Sequence, residues 1–372
     1  MTKLIFTRFL YIFDEVCLSL LSSLVKKKSI DEAYFWASEI YLSGFIQQSW
    51  QLIWFIYFDF YYINSPYFYK YIIKKQSQND MKGLLSVIKN IYKLKPSSQI
   101  FITRQYNSSI KEINHIFKGK KPNWLKPYPL KYHGFLRFLD KKLYHYAVSS
   151  LPDLIDDEFI TTIKQYFKIT DDDISVNFDN TLNITEYDNN IHKVWSIISL
   201  YIFNPDYSKK QPIYTTITKN EYDAIIDHDT SPIPLSPKYN NPQIYKTLEY
   251  KRKYHIDPFV SSFHLLRDSV DNICNEMWYS WEYHAYSTPI WKERFDKYKI
   301  IINSDKRKIE FMDDDEIELF YETYCYDPDE QSTETQNKAL SVISDNNWNK
   351  WYNNLFTDNS LFEFNNDFKF SY

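Results

Sequence analysis

The sequence predicts a mainly α protein, a helical N-terminal array plus a helical C-terminal region with a small β-hairpin. Three observations point there. Apolar residues return at three- and four-residue steps in several stretches, the spacing that lines one face of a helix. Helix start and stop signals flank the N-terminal stretches. Ile300 to Ile302 and Lys308 to Phe311 bracket a polar turn, Asn303 to Lys306, as the strands of a hairpin do.

The first 120 residues read as helices joined by short turns. Val16, Leu20, Leu21, Leu24 and Val25 share one stripe, which the run Lys26 to Lys28 terminates. Ser29 followed by Glu32 has the spacing of a capping box, in which each side chain satisfies a free backbone amide at the helix start. A helix through Ala33, Trp36, Ala37 and Ile40 follows, and Gly44 supplies the left-handed residue that ends it. Leu52 to Phe58 is the centre of a third helix, stopped at Asn64, Ser65 and Pro66. The stretch Phe45 to Ile63 is apolar but carries Gln47, Gln48, Gln51 and Asp59, so it reads as a buried helix and not as a membrane span.

Ile100 to Phe117 fits one helix or a strand and a helix; Pro122, Pro127 and Pro129 then break regular structure. Leu136, Leu139, Leu143 and Tyr146 resume a helical stripe. Residues 205–243 hold six of the fifteen prolines and read as a proline-rich linker or loop between a helical domain at 1–204 and a C-terminal one at 244–345. The most regular stripe comes next: Phe259, Phe263, Leu266, Val270, Ile273, Met277 and Trp281, a core or partner-helix face ending before Pro289. Asp313 to Asp315 open a last helix through Ile317, Leu319 and Phe320, their carboxylates favoured at the positive end of its dipole. Residues 346–372 read as a tail.

Composition fits a folded chain of 372 residues, 44% hydrophobic and 25% charged. Aromatics reach 19% while glycine falls to four residues, a bias that AT-rich codons explain in part. Cys17, Cys274 and Cys325 are odd in number and lack a CxxC pair, which argues for a reducing compartment and against a disulfide framework. Arg8, Asp14 and Glu15 interrupt the apolar N-terminus before a signal-peptide core is complete, so no secretion signal is read.

Few chemistries find their motif. Phosphate-cradling loops need glycines at fixed positions, and Gly119-Lys120-Lys121 lacks both the upstream glycine and the hydroxyl. No nucleophile elbow and no zinc-protease histidine pair occur. Asp227, His228 and Asp229 are neighbours that diverge in a loop; His264 with Asp268, and Cys274 with His284, fit a helix surface or core better than a site. Asp313 to Glu316 reads as a solvated helix start, and clustering of His255, His264 and His284 with acids would be the first hint of an enzyme. No metal and no cofactor is expected.

Charge is where the sequence speaks of function. The net is −4, but residues 1–69 carry −1, residues 70–150 carry +14 and residues 151–372 carry −17. Within 70–150, Lys118, Lys120, Lys121, Lys126, Lys131, Arg137, Lys141 and Lys142 alternate with rings that include Trp124, Tyr128 and Tyr132. Cations neutralise phosphates and aromatic faces stack on unpaired bases, the combination used for single-stranded nucleic acid. A lysine-rich surface over an aromatic core is the plainer alternative.

Two stretches resemble a known family. Asp31, Glu32, Ala33, Tyr34, Phe35, Trp36, Ala37, Ser38 and Glu39, continuing through Gly44 and Phe45 to Leu52, Ile53 and Trp54, resemble an N-terminal segment of uncharacterised proteins of large nucleocytoplasmic DNA viruses of the mimivirus kind. So does Ser287, Thr288, Pro289, Ile290 and Trp291 through Tyr326, Asp327, Pro328, Asp329, Glu330 and Gln331. The first stretch is also similar to the helical oligomerisation region of clamp-loader-like ATPases, whose ATP site this chain lacks. The resemblance implies a viral origin, action in the host cytoplasm, virus factory or virion, and no catalytic residues. The leading expectation is therefore a non-enzymatic interaction or scaffold protein of a giant-virus assembly, with viral or host proteins as partners. Its competitor is a nucleic-acid binder, RNA included, using the basic aromatic segment.

Overall fold

The computed structural model describes residues 4–27, 29–101, 103, 117–169, 190–207, 213–227 and 279–324. It is mainly α, with one two-stranded antiparallel sheet near the C-terminal end of the described chain. The described residues form two compact units, each assembled from separated stretches: those within 1–53, 74–93 and 214–324 make the first, and those within 54–73 and 94–213 the second. No helix among the described residues is long and apolar enough to cross a membrane.

In the first unit, α1 (Phe13–Lys26) buries its whole stripe, from Val16 to Val25, and ends where Lys27 turns left-handed at φ 49°. Ser29 caps α2 (Ile30–Leu42) by accepting from Asp31 N at 3.2 Å, one residue earlier than the capping-box spacing implies. The stop falls where expected. Gly44 N donates to Tyr41 O (3.0 Å) and Phe45 N to Ile40 O (3.3 Å), the paired bonds that close a helix through a left-handed glycine, here at φ +90°. No side chain would fit there, since a Cβ on Gly44 would lie 2.5 Å from that of Pro289.

A tight loop before α1 pairs Phe6 with Ile12 and is fastened at both faces. On one side Glu39, fully buried, takes Arg8 Nε on Oε2 (2.7 Å) and Phe9 N on Oε1 (3.0 Å), while Ser43 Oγ takes Arg8 N (2.8 Å). On the other, Thr288 Oγ1 donates to Phe6 O and Trp291 Nε1 to Thr7 O (3.0 Å). Around Trp291 the helices α11 (Trp281–Ala285) and α12 (Pro289–Phe295) gather Trp281, Phe295 and Phe320. The hairpin lies where the sequence put it: β1 (Ile300–Asn303) pairs with β2 (Lys308–Phe311), Ile300 opposite Phe311. The closing helix α13 (Asp314–Tyr324) lays Phe320 against Phe311 and Phe295.

The same unit holds α5 (Met81–Ile91), capped by Asp80 through Gly83 N at 2.6 Å. Asn90 fastens the extended segment before α10 (Lys219–Asp227) by exchanging bonds with Thr215 N and O. Residues 219–227 are thus helical and packed within the stretch that its prolines mark as linker or loop. The local signal is Thr218 and Glu221: Thr218 N donates to Glu221 Oε2 (2.7 Å) and Glu221 N to Thr218 Oγ1 (3.2 Å), a capping box in full. Lys89 closes the arrangement with an ion pair to Glu221 at 2.8 Å.

The second unit is built on the C-terminal half of α3 (Ile46–Phe60) and on α9 (Asn190–Phe203). Their contact is polar at its centre. Asp59 Oδ1 meets His192 Nε2 at 2.9 Å with both side chains fully buried and the rings of Phe55 and Phe58 beside the imidazole. Asn204 at the end of α9 donates to Ile63 O (2.8 Å), and Tyr57 Oη ties the turn before α4 (Tyr69–Gln76) by donating to Pro66 O (2.8 Å). Rather than one continuous helix, 133–150 forms α6 (His133–Asp140) and α7 (Tyr144–Ser150), divided where Lys142 adopts φ 56°. Then comes α8 (Asp157–Tyr166), capped by Asp156.

Candidate functional site

Segment 117–142 carries eight cations and a single acid, Asp140. Prolines set its path. Pro122 and Pro129 hold extended backbone, each followed by a single 3-10 turn, at Asn123–Leu125 and Leu130–Tyr132. Each turn drives one apolar anchor inward, Leu125 and Tyr132, which leaves the residues between them at the surface.

The sequence treats the eleven cationic and aromatic candidates as one group; the structure divides them. Tyr132 is buried against Phe159 (ring centroids 5.3 Å apart), and its hydroxyl donates to Asp156 Oδ1. Lys131 Nζ lies 2.8 Å from both Asp156 Oδ2 and Glu158 Oε2. The hydrogen bond from Lys131, joined by those from Tyr132 and Phe159 N, pulls Asp156 down to a pKa of about 2. Lys131 and Tyr132 therefore hold the start of α8. Arg137 lies over the Phe117 ring, 3.9 Å from its centroid, and Lys141 is 3.7 Å from Asp140. Lys118, Lys120, Lys121, Lys126 and Lys142 are exposed, and none has a carboxylate within ion-pair distance among the described residues.

Trp124 and Tyr128, close in sequence to Lys121 and Lys126, open a line of rings that runs further than the sequence candidates. Half-buried Trp124 and Tyr128 both meet Tyr166, at 6.0 and 6.2 Å between centroids. Tyr166 leads to Phe167 (4.9 Å), Phe167 stacks on Tyr201 (5.5 Å, 27° between planes), and Tyr201 meets Tyr207 edge-on at 6.2 Å. An open cleft of about 570 Å³ lies along the second half of this line, lined by Tyr166, Phe167, Lys168, Tyr201, Pro205, Asp206 and Tyr207. Burial pushes Tyr166 up to about 12, with Asp140 adding to it, so its hydroxyl stays protonated at neutral pH. The cleft residues come from the end of α8 and the turn after it, from α9 and from the turn after α9. Among the cleft residues the signal the sequence offers is Tyr166-Phe167-Lys168, two rings followed by a cation.

Other candidates are accounted for individually. Phe259, Phe263, Leu266, Val270, Ile273 and Met277 lie outside the described residues, as do His228, Asp229, His255, His264, Asp268, Cys274 and Cys325. Trp281 is a core residue, 2% exposed and edge-on to Trp291. Trp36, Trp50 and Trp54 are core residues too. His284 is buried edge-on to Phe6. The acidic run at the start of α13 is spent locally: Asp313 Oδ1 accepts from Asp315 N (3.1 Å) and Glu316 Oε2 from Lys299 N (2.9 Å). Desolvation, with Asp14 nearby, pushes the Cys17 thiol well up, which keeps it protonated and unreactive. Comparison of the chain with protein-family models, with curated proteins and with solved structures finds no match.

Proposed function

We propose that the protein is a non-enzymatic binder of single-stranded nucleic acid, held through the basic track at 118–126 and the ring line beside it. One observation carries this reading: the four lysines of 118–126 stand exposed with no carboxylate within ion-pair distance among the described residues, in the segment that holds half-buried Trp124 and Tyr128, whose rings meet half-buried Tyr166. Uncompensated cations favour a polyanion through counterion release, and rings reached from the surface favour unpaired bases. The resemblance of residues 31–54 and 287–331 to giant-virus proteins supports a place of action in the infected cell, in the host cytoplasm or virus factory.

A salt titration tests the proposal. Affinity for a single-stranded oligonucleotide should fall linearly on a log–log plot, with a slope of roughly −0.7 for each phosphate neutralised. Replacing Lys120, Lys121 and Lys126 together by Glu should abolish binding at 0.15 M salt. No detectable binding by the wild-type chain at low salt would refute it.

A second reading, an interaction or scaffold subunit, is favoured by a separate observation. Ile301 and Ile302 of the hairpin, Met312 just after it and Leu319 of α13 are large, apolar and 43–67% exposed. Met312→Glu and Leu319→Glu should then release protein partners co-purified from infected cells and leave oligonucleotide affinity unchanged.

A further inference from the structure

We propose that the cleft lined by Tyr166, Phe167, Lys168, Tyr201, Asp206 and Tyr207 is a subsite for one unpaired nucleobase whose edge donates hydrogen bonds, guanine foremost. It rests on the reading of segment 118–126 as a nucleic-acid track and states what the strand presents beyond it.

Shape and chemistry support the subsite separately. The cleft volume of about 570 Å³ falls inside the range of small-ligand sites, about 300–1,000 Å³. Four of its seven lining residues are aromatic, and the near-parallel pair Phe167 and Tyr201 belongs to a ring series that begins at Trp124, close in sequence to Lys121 and Lys126. A strand whose phosphates follow those lysines has its bases alongside the rings. Stacking of this kind accepts any base, so it selects single strands without selecting sequence.

Selection comes from the two charges in the lining. Lys168, exposed and left-handed at φ 53° just beyond α8, supplies a cation for backbone phosphate. Asp206 is exposed and accepts hydrogen bonds without donating any. Its carboxylate repels phosphate, so that wall suits a base edge. Guanine offers two parallel N–H donors on its Watson–Crick edge, which two carboxylate oxygens accept together. Thymine and uracil offer one donor between two carbonyls, which the carboxylate repels. Adenine and cytosine, with one amino group each, rank between. In a duplex those edges are already paired and the base faces are stacked, so a duplex has nothing to insert.

The experiment is fluorescence anisotropy at low salt with the full chain, using an oligothymidylate, the same strand with one central guanine, and a duplex of equal length. The guanine strand should bind roughly fivefold to tenfold tighter than oligothymidylate, the discrimination expected of one bidentate contact. Asp206→Asn, at an exposed position where folding is not at stake, should bring the two strands within about twofold of each other. Phe167→Leu should weaken both single strands, with circular dichroism confirming that the variant is folded. Equal affinity for the two strands in the wild-type chain overturns the subsite, and so does a guanine preference that survives Asp206→Asn. A duplex bound as tightly as the single strands overturns it as well. Displacement by polyglutamate as readily as by oligonucleotide would assign the track to an acidic polypeptide and remove the base subsite with it. Binding without base preference sinks this inference alone, whereas no binding of any oligonucleotide sinks the proposed function too.

Discussion

Glu39 has both carboxylate oxygens engaged in a fully buried position, one by Arg8 Nε and one by Phe9 N. Breaking such a pair by removing one partner is costly, because a charge or donor stays behind without water to solvate it. Glu39→Ala should therefore lower the unfolding free energy by roughly 3–5 kcal/mol, measured by urea denaturation, with Glu39→Gln losing less because it keeps an acceptor. Asp156 makes a prediction with a sign. Its pKa is about 2 in the folded chain, below the ordinary value near 3.9, so its contribution is complete above that ordinary value. It is lost as pH falls toward 2. Asp156→Asn keeps an N-cap but not the charge, so the variant should show a shallower loss of stability than wild type between about pH 4 and pH 2.

Among the elements, helix ends decide most of what could be foreseen. Gly44 and Ser29 work through local backbone rules, so their sequence neighbours were sufficient to place the ends of α2, and Asp80 caps α5 by the same local rule. The hairpin was equally local: Ile300 and Phe311 alternate about a short polar turn, and nothing distant is needed to pair them. The box formed by Thr218 and Glu221 was also present in the sequence, but the prolines around it outweighed it in a reading for linkers. Thr218→Ala removes the acceptor for Glu221 N, and stability should drop by about 1 kcal/mol, readable in thermal or urea unfolding. A change far below that would mean that packing against α5, and not the cap, sets the start of α10.

For the molecule as a whole, the uneven charge has a consequence that separates binding from folding. Lys120, Lys121 and Lys126 are exposed and meet no carboxylate among the described residues, so reversing them removes no stabilising pair. The triple Glu variant should therefore unfold within about 0.5 kcal/mol of wild type per site while losing its ligand. Lys131 differs, because its ion pairs to Asp156 and Glu158 belong to the structure. Composition treats these lysines alike; only their surroundings separate an exposed cation without an ion pair among the described residues from a structural one.

By itself, the sequence determined what depends on near neighbours: helix faces set by three- and four-residue spacing, the left-handed stop at Gly44, the hairpin at 300–311, and the accumulation of positive charge in 70–150. Tertiary structure alone decided what depends on residues far apart in the chain. It brought His192 to Asp59 inside a core, set Glu221 on Lys89, and drew Tyr166, Tyr201 and Tyr207 into one cleft near Trp124. The physical reason is range. Backbone dihedral preferences and side-chain periodicity act over a few residues, whereas burial and charge pairing join whichever segments the fold places within a few ångströms.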